Sequence, residues 1–288
     1  MATVRASLSH EERTAQEPRE NRIEPVILSH IKPVNETIRL LRLQSVDPQH
    51  TIKFLPGQWL DVFIPGLHKA GGFTITSSPE EARPTSSRPG YLELAIQAST
   101  NPPARWLWRP ESDILGSQLV VRAGGSFVWP PPAGADAVDR LVLIAGGVGI
   151  NPLISIFTHL MKSSQRPREI HFMYGTKATG SPIRASSILF LPRIMDLIQT
   201  AEDPNVSLDL FLTGRSRKDV GSGIGLPEGV TCGRITEAAL EAALGKENDR
   251  EQTVCYVCGP PRMTDSFVDY LRSQKGMDEN RVLCEKWW

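Results

Sequence analysis

The residues best spaced for chemistry in this chain form the run Leu141 to Pro152, LVLIAGGVGINP. Leu141, Val142, Leu143 and Ile144 are a short apolar stretch ending on glycines, which reads as a buried strand and not a helix. Ala145 to Gly149 read as a tight turn. After Pro152, the residues Leu153, Ile154, Ile156, Phe157 and Leu160 recur at helical spacing. Proline suits the first turn of a helix, where its missing N–H has no partner in any case. Glycines let the backbone take positive φ and let a ligand come close. The helix N-terminus then offers unpaired N–H groups and a positive dipole end to a phosphate. Strand, glycine turn and helix in this order hold a nucleotide pyrophosphate at the carboxyl end of a parallel strand. The competing reading is an ordinary turn that needs glycine only for its shape. The flanking strand and helix, and the pattern of the second half of the chain, favour the nucleotide.

Other chemistries find less support. Cys255-Tyr256-Val257-Cys258 is a CxxC, but it falls on an expected strand. Strand residues three apart lie roughly 10 Å apart and face opposite sides, whereas a disulfide tolerates Cα separations up to about 7 Å. Cys232 and Cys284 are isolated and supply no second CxxC for zinc. His10, His30, His50, His68, His159 and His171 are scattered, and no HExxH, GxSxG elbow or P-loop lysine is present. Metal and nucleophilic hydrolysis are therefore disfavoured.

The elements that must position the glycine turn divide the chain in two. Residues 23–133 carry short β-rich runs: Pro25 to Ile31, Thr37 to Leu43, Leu60 to Ile64, Gly72 to Thr76, Tyr91 to Gln97 and Gln118 to Arg122. Pro33 to Asn35 and Pro65-Gly66 punctuate them, and the loops are rich in Pro, Ser and Gly. Several short strands with little helix predict a small antiparallel barrel. Trp106 to Trp108 is expected on a short helix near its mouth. Pro130 to Ala137 forms the expected boundary. Residues 138–288 alternate strands (Leu141 to Ile144, Ile170 to Tyr174, Val206 to Leu212, Thr253 to Cys258, Val282 to Cys284) with helices (Pro152 to Met161, Ser187 to Gln199, Glu237 to Leu244, Pro261 to Ser273). Pro192 is expected to kink or split the second helix. This alternation predicts a doubly wound parallel sheet, with ligands beyond the carboxyl ends of its strands.

Composition narrows the class further. At 288 residues, 40% hydrophobic and 22% charged, the chain has the make-up of a globular protein with a sizeable core. Its 32 basic and 32 acidic residues balance, which argues against nucleic-acid binding. No apolar run approaches the ~20 residues of a membrane span. Four cysteines make no disulfide framework, and a reducing compartment is the default. Residues 1–22 are polar, with Glu11, Glu12, Glu17 and Glu20, and are expected to be a disordered tail. They lack the apolar core of a secretory signal, and only the first ten residues are acid-poor. A mitochondrial or cytoplasmic location is the expectation.

Four motifs, in order, resemble the ferredoxin–NADP reductase family over about Ile23 to Trp288. FLPGQWLDVFIP resembles the family's F-x-P-G-Q-aromatic barrel strand. GGFTITSSP resembles its R-x-Y-S flavin motif. GGVGINP resembles its G-x-G-x-x-P nucleotide turn, and VCGPPRM its C-G-P-x-x-M loop. TNPPA, GRITE and EKWW, with these, resemble one narrow branch of the family. The resemblance implies a flavin-binding antiparallel barrel followed by a nucleotide-binding α/β domain.

The resemblance also implies roles. Phe73 packs on the flavin ring and Thr74 hydrogen-bonds its N5, with Ile75 and Thr76 following in the motif. Trp288 stacks on the ring or its adenine. Cys258 lies beside nicotinamide C4, and Glu285 near the flavin, so Cys258, Thr74 and Glu285 are the candidate catalytic residues. Gly146, Gly147, Val148, Gly149, Ile150, Asn151 and Pro152, with Gly259, Pro260 and Met263, contact the nucleotide. Two departures stand out. Gly71 replaces the arginine that meets the flavin phosphates, with Lys69 or Arg105 as candidate substitutes, and Val148 replaces a common threonine. Arg215, after an expected strand, is a candidate for the 2′-phosphate of NADPH, and the choice between NADH and NADPH stays open.

The expected function is hydride transfer from NAD(P)H to FAD, with electrons passing to an acceptor in trans, either a protein or a small molecule. No nucleic-acid or membrane partner is expected. The alternative is a nucleotide-binding sensor or assembly module that has lost flavin, for which Gly71 is the main support. A flavin-free dehydrogenase is a third reading, and it lacks an obvious acid or base near Cys258.

Overall fold

The computed structural model describes residues 9–286. Its first half is a six-stranded antiparallel sheet in the order β4-β3-β6-β1-β2-β5. The strands are β1 (Glu24–Asn35), β2 (Ile38–Ser45), β3 (Trp59–Phe63), β4 (Gly71–Thr74), β5 (Tyr91–Gln97) and β6 (Gln118–Gly124). The sheet closes where Ile75 bridges Leu94 and the Thr76 N–H donates to the Glu93 carbonyl at 2.8 Å. Val26, Leu28, Leu41, Leu60, Leu94 and Val121 fill the interior. The expected break at Pro33 to Asn35 is instead the bulged end of β1, with register shifts at Leu28/His30 and Pro33/Asn35. A bulge is where a strand accommodates a proline that cannot donate to the ladder. Two short helices, α2 (Pro102–Leu107) and α3 (Glu111–Ile114), join β5 to β6.

Residues 9–22 depart from the expected disordered tail. Ser9 caps the one-turn helix α1 (His10–Arg13) through a capping box with Glu12. The segment then crosses the barrel as a strap, and Arg19 bridges Gly124. Its anchor is Asp61, fully buried, which faces Arg122 at 2.7 Å, Arg19 at 2.9 Å and His10 at 3.1 Å. The His10 ring meets Trp59 edge-on at 4.6 Å. Burial pushes the Asp61 carboxyl up, but bonds from His10, Arg122 and Arg19 outweigh it and hold it at about 2. Polar composition misleads here because the polar groups have a buried partner more than forty positions away in sequence.

The second half is a six-stranded parallel sheet in the order β10-β9-β8-β7-β11-β12. Its strands are β7 (Arg140–Gly146), β8 (Glu169–Lys177), β9 (Val206–Thr213), β10 (Thr231–Cys232), β11 (Thr253–Cys258) and β12 (Val282–Glu285). Between them run α4 (Ile150–Lys162), α5 (Leu191–Ala201), α6 (Arg217–Gly221), α7 (Glu237–Leu244) and α8 (Pro261–Ser273). Leu153, Phe157 and Leu191 pack one face of the sheet, and Leu240, Val268 and Leu271 pack the other. Pro192 does not kink α5; it sits in the first turn, where no N–H is required. The connection reverses on either side of β7, so a crevice opens at its carboxyl end. No described helix is long and apolar enough to cross a membrane.

One face of α4 seats the two halves on each other. The Asn151 Nδ2 donates to the Ala95 carbonyl at 3.1 Å, and the Ser155 Oγ to the Ser77 carbonyl at 2.7 Å. His159 meets Glu80 at 2.9 Å and Lys162 meets Glu81 at 3.1 Å. Spacings of three and four place these four side chains on one helix face. Beside them, Arg193 of α5 reaches the buried Glu93 at 2.6 Å. From the linker, Phe127 and Trp129 pack on Tyr256, with ring centroids 5.1 and 6.4 Å away.

Replacing Asp61 by Asn leaves two arginines without their buried counter-charge. Urea unfolding at neutral pH is expected to show a loss of about 3 kcal/mol. A carboxylate held low when folded stabilises above its unfolded value and loses that contribution as pH falls towards 2. The acid limb of the stability curve should therefore flatten in Asp61→Asn.

Candidate functional site

The glycine turn is built by the meeting of two strand ends. β7 ends at Gly146, the turn Gly147–Gly149 follows, and α4 begins at once. Gly147 takes a φ of +54°. A Cβ on Gly149 would lie 2.3 Å from the Cys258 carbonyl oxygen and 2.6 Å from the Gly259 nitrogen, closer than atoms can approach. The turn thus lies against the end of β11, and the backbone of both is left facing the crevice.

Two clefts meet there. One, of about 520 Å3, lies between the halves: Phe73, Thr74, Ala95 and Gln97 come from the barrel side, facing Gly146–Gly149, Asn151 and Gly259–Pro261. The other, of about 620 Å3, shares Gly146, Gly147 and Pro260 and runs over the strand ends past Gly175, Thr176 and Thr213. Lys177, Arg234 and Arg262 line it. All three are exposed, and none makes an ion pair among the described residues. One wall of the joined cleft is apolar and flat, and the far end is cationic. That combination suits a ligand with a planar ring at one end and phosphates at the other.

Several predicted residues come together on these walls: Phe73, Thr74, Gly146, Gly147, Val148, Gly149, Asn151, Gly259 and Pro260 in the first cleft, and Met263 in the second. The Thr74 hydroxyl has no hydrogen-bond partner among the described residues. The Asn151 Oδ1 is buried without one beside the cleft. Such an orphaned acceptor is a cost that an N–H from a bound ring would offset.

Other predicted residues lie elsewhere. Ile75, Ile150 and Cys258 are fully buried, and Pro152 is buried in the first turn of α4. Thr76 is buried with its hydroxyl bonded to Glu93. Cys258 points to the α4 side of the sheet and Cys255 to the other side, as the strand period requires. Arg215 lines neither cleft; its Nε donates to the Ala178 carbonyl at 3.2 Å, because α6 begins at once and turns the chain aside. Trp288 lies outside the described residues. Glu285 pairs in register with Cys258 but lines a separate cleft of about 330 Å3 with Arg13, Thr14 and Glu17 of the strap. Burial, with the charge of Glu17, pushes its carboxyl up to about 8. Lys177, Arg234 and Arg262 escaped sequence reasoning. The strand expected over Ile170 to Tyr174 runs on to Lys177, three residues further, so its true end lay beyond the expected one.

The fit of a flavin divides. A planar ring has a slot with Phe73 and the free Thr74 hydroxyl at one wall. The phosphates of a flavin dinucleotide have no counterpart at Gly71, where a Cβ would sit 2.5 Å from the Pro103 Cβ and 2.6 Å from the Phe73 Cε2. Of the expected substitutes, Lys69 pairs with Glu12 at 3.8 Å and Arg105 is exposed on α2.

An antiparallel barrel joined to a doubly wound parallel sheet, with a cleft between them, is the fold of ferredoxin–NADP reductases. The profile of the ferric reductase NAD binding domain matches residues 138–231. The fold is shared with a ferredoxin NADP+ reductase from Neisseria gonorrhoeae, solved with FAD and NADP. The TM-score is 0.66 at 15% identity, covering 93% of this chain and 100% of that one. More particularly, the chain is 35% identical to oxidoreductase NAD-binding domain-containing protein 1 of Danio rerio, over 99% of this chain and all of that protein. It belongs to that family. It is also 26% identical to the reductase component of propane 2-monooxygenase from Rhodococcus jostii (strain RHA1), over 90% of this chain and 62% of that protein.

Two substitutions test the site. Gly149→Ala is expected to weaken pyridine-nucleotide binding by about tenfold or more in calorimetric titration, while far-UV circular dichroism stays native. The raised Glu285 carboxyl binds its proton more tightly when folded, so stability falls as pH climbs from the ordinary 4.5 to about 8. In Glu285→Gln the drop in melting temperature between pH 6 and 9 should shrink.

Proposed function

We propose that this protein is an NAD(P)H-dependent reductase that transfers hydride from nicotinamide to a flavin ring. The electrons then pass to a separate acceptor. The observation that carries this reading is the joined cleft: an apolar slot between Phe73–Thr74 and the glycine turn, opening onto the cationic strand ends. A flavin supplies the chemistry when bound, accepting hydride at N5 and handing on electrons.

The chain's own residues do the rest. The bare backbone of Gly146 to Gly149 lets a dinucleotide approach the end of β7 closely. Lys177, Arg234 and Arg262 take its phosphates. Phe73 offers a flat apolar surface to a ring, and the Thr74 hydroxyl a donor at its edge. Gly259 and Pro260 close the nicotinamide side, with Cys258 packed behind them. The bonds from α4 to the barrel hold the two walls at fixed spacing, so reacting rings meet without a search. The likeness to a reductase component supports an acceptor in trans.

A nucleotide-binding module without turnover is the second reading, favoured by the filled space over Gly71. The two part in one anaerobic experiment. NADH or NADPH, added flavin and protein are mixed, and the visible absorption of the flavin is followed. Bleaching faster than in the protein-free control supports the reductase. Nucleotide binding without bleaching supports the module. Replacing Arg234 and Arg262 together by Ala should raise the dissociation constant for the nucleotide by about tenfold and lower its salt dependence.

A further inference from the structure

We propose that flavin is an exchanging substrate of this protein, taken up by its ring and released reduced, and not a resident FAD. This rests on the reductase reading above. A flavin dinucleotide held permanently needs groups that grip its phosphates, either a cation or a set of free backbone N–H donors. Beside Phe73 the position of the family's arginine is closed, and the two cations nearest in sequence, Lys69 and Arg105, are both exposed.

At Gly71 the missing side chain is not an open place. The Pro103 Cβ at 2.5 Å and the Phe73 ring at 2.6 Å from the ideal Cβ position already fill it. At Gly72 the ideal Cβ would lie 2.1 Å from the His10 ring, and His10 is held there by Asp61 at 3.1 Å. The next helix offers no donors in its first two positions, because α2 opens Pro102-Pro103 and proline has no N–H. The N–H of its cap residue, Asn101, is already bonded to the Ser99 Oγ at 3.3 Å. Lys69 lies 3.8 Å from Glu12 of the strap, with both side chains largely exposed. The ring slot, by contrast, is complete, with Phe73, the free Thr74 hydroxyl and Gln97 along it. A wall that recognises the ring and ignores the phosphates binds riboflavin, FMN and FAD alike, and releases each of them.

The reaction balances as NAD(P)H + oxidised flavin + H+ giving NAD(P)+ + reduced flavin. The C4–H bond of the nicotinamide breaks with its electron pair, the N5–H bond of the flavin forms, and a solvent proton completes N1. The reduced flavin then carries both electrons away, which makes it the diffusible link to an acceptor in trans.

The test uses the full chain, desalted and then titrated with riboflavin, FMN and FAD while flavin fluorescence is read. Steady-state reduction of each by NADH and NADPH follows. The expected result is no flavin retained on desalting, three dissociation constants within about threefold of one another, and KM values in the same relation. Phe73→Ala should weaken all three equally, and Arg105→Ala should leave all three unchanged. FAD that copurifies, or binds about a hundredfold tighter than riboflavin, overturns the proposal, and so does a loss confined to FMN and FAD in Arg105→Ala. If copurifying FAD is bleached by NAD(P)H, the reductase reading survives that failure. If no flavin binds or is reduced, both fall together.

Discussion

The cleft exists because one face of α4 is polar where it meets the barrel. Asn151, Ser155, His159 and Lys162 each bond a different point between Ser77 and Ala95. Two apolar surfaces pressed together can slide, since the hydrophobic effect has no direction. Hydrogen bonds at fixed spacing along a helix cannot, because a shift of one residue breaks all of them at once. Two of these donors, Asn151 and Ser155, are buried, so losing their partners would leave unsatisfied groups inside the protein. Glu93 strengthens the seam, a buried carboxylate that needs Arg193 from the opposite half. The two walls of the ring slot belong to different halves, and this seam sets the distance between them.

A second polar anchor lies on β3. Asp61 gathers His10, Arg19 and Arg122, and in doing so ties the strap to β3 and β6. The same strap brings His10 over Gly72 and Glu17 towards Glu285. The strap therefore shapes both the wall that carries Phe73 and the neighbouring cleft lined by Glu285, although none of its residues resembles a reductase motif. The raised Glu285 carboxyl is a product of that packing: burial and the charge of Glu17 both disfavour its ionised form.

The two halves differ in how open their walls of the cleft are. In the α/β half, the glycine turn after β7 borders the second cleft, whose three cations make no ion pair among the described residues. In the barrel half, Phe73 and Thr74 line the slot, while the space over Gly71 is filled by Pro103 and the Phe73 ring.

The local sequence determined the elements and the order of the two halves. β5, β11, α7 and α8 fall where their apolar periods and flanking prolines or glycines put them, because strand and helix formation depend on neighbours a few residues away. The turn from Gly146 to Gly149 was legible for the same reason, and so were Phe73 and Thr74 as a pair on one strand. The tertiary structure alone decided what depends on distant partners. Residues 9–22 look like a loose tail until Asp61 supplies a buried charge. Pro192 looks like a kink until α5 begins beside it. Lys177, Arg234 and Arg262 come from three separate strand ends or helix starts and meet only when the parallel sheet is wound. Arg215 looks well placed by its position after β9, yet the start of α6 turns it away. Gly71 reads as a lost arginine, and only packing reveals that Pro103 and Phe73 have closed the space. A chain encodes periodicity and turn chemistry in adjacent residues, whereas a site is assembled by contacts between residues far apart along it.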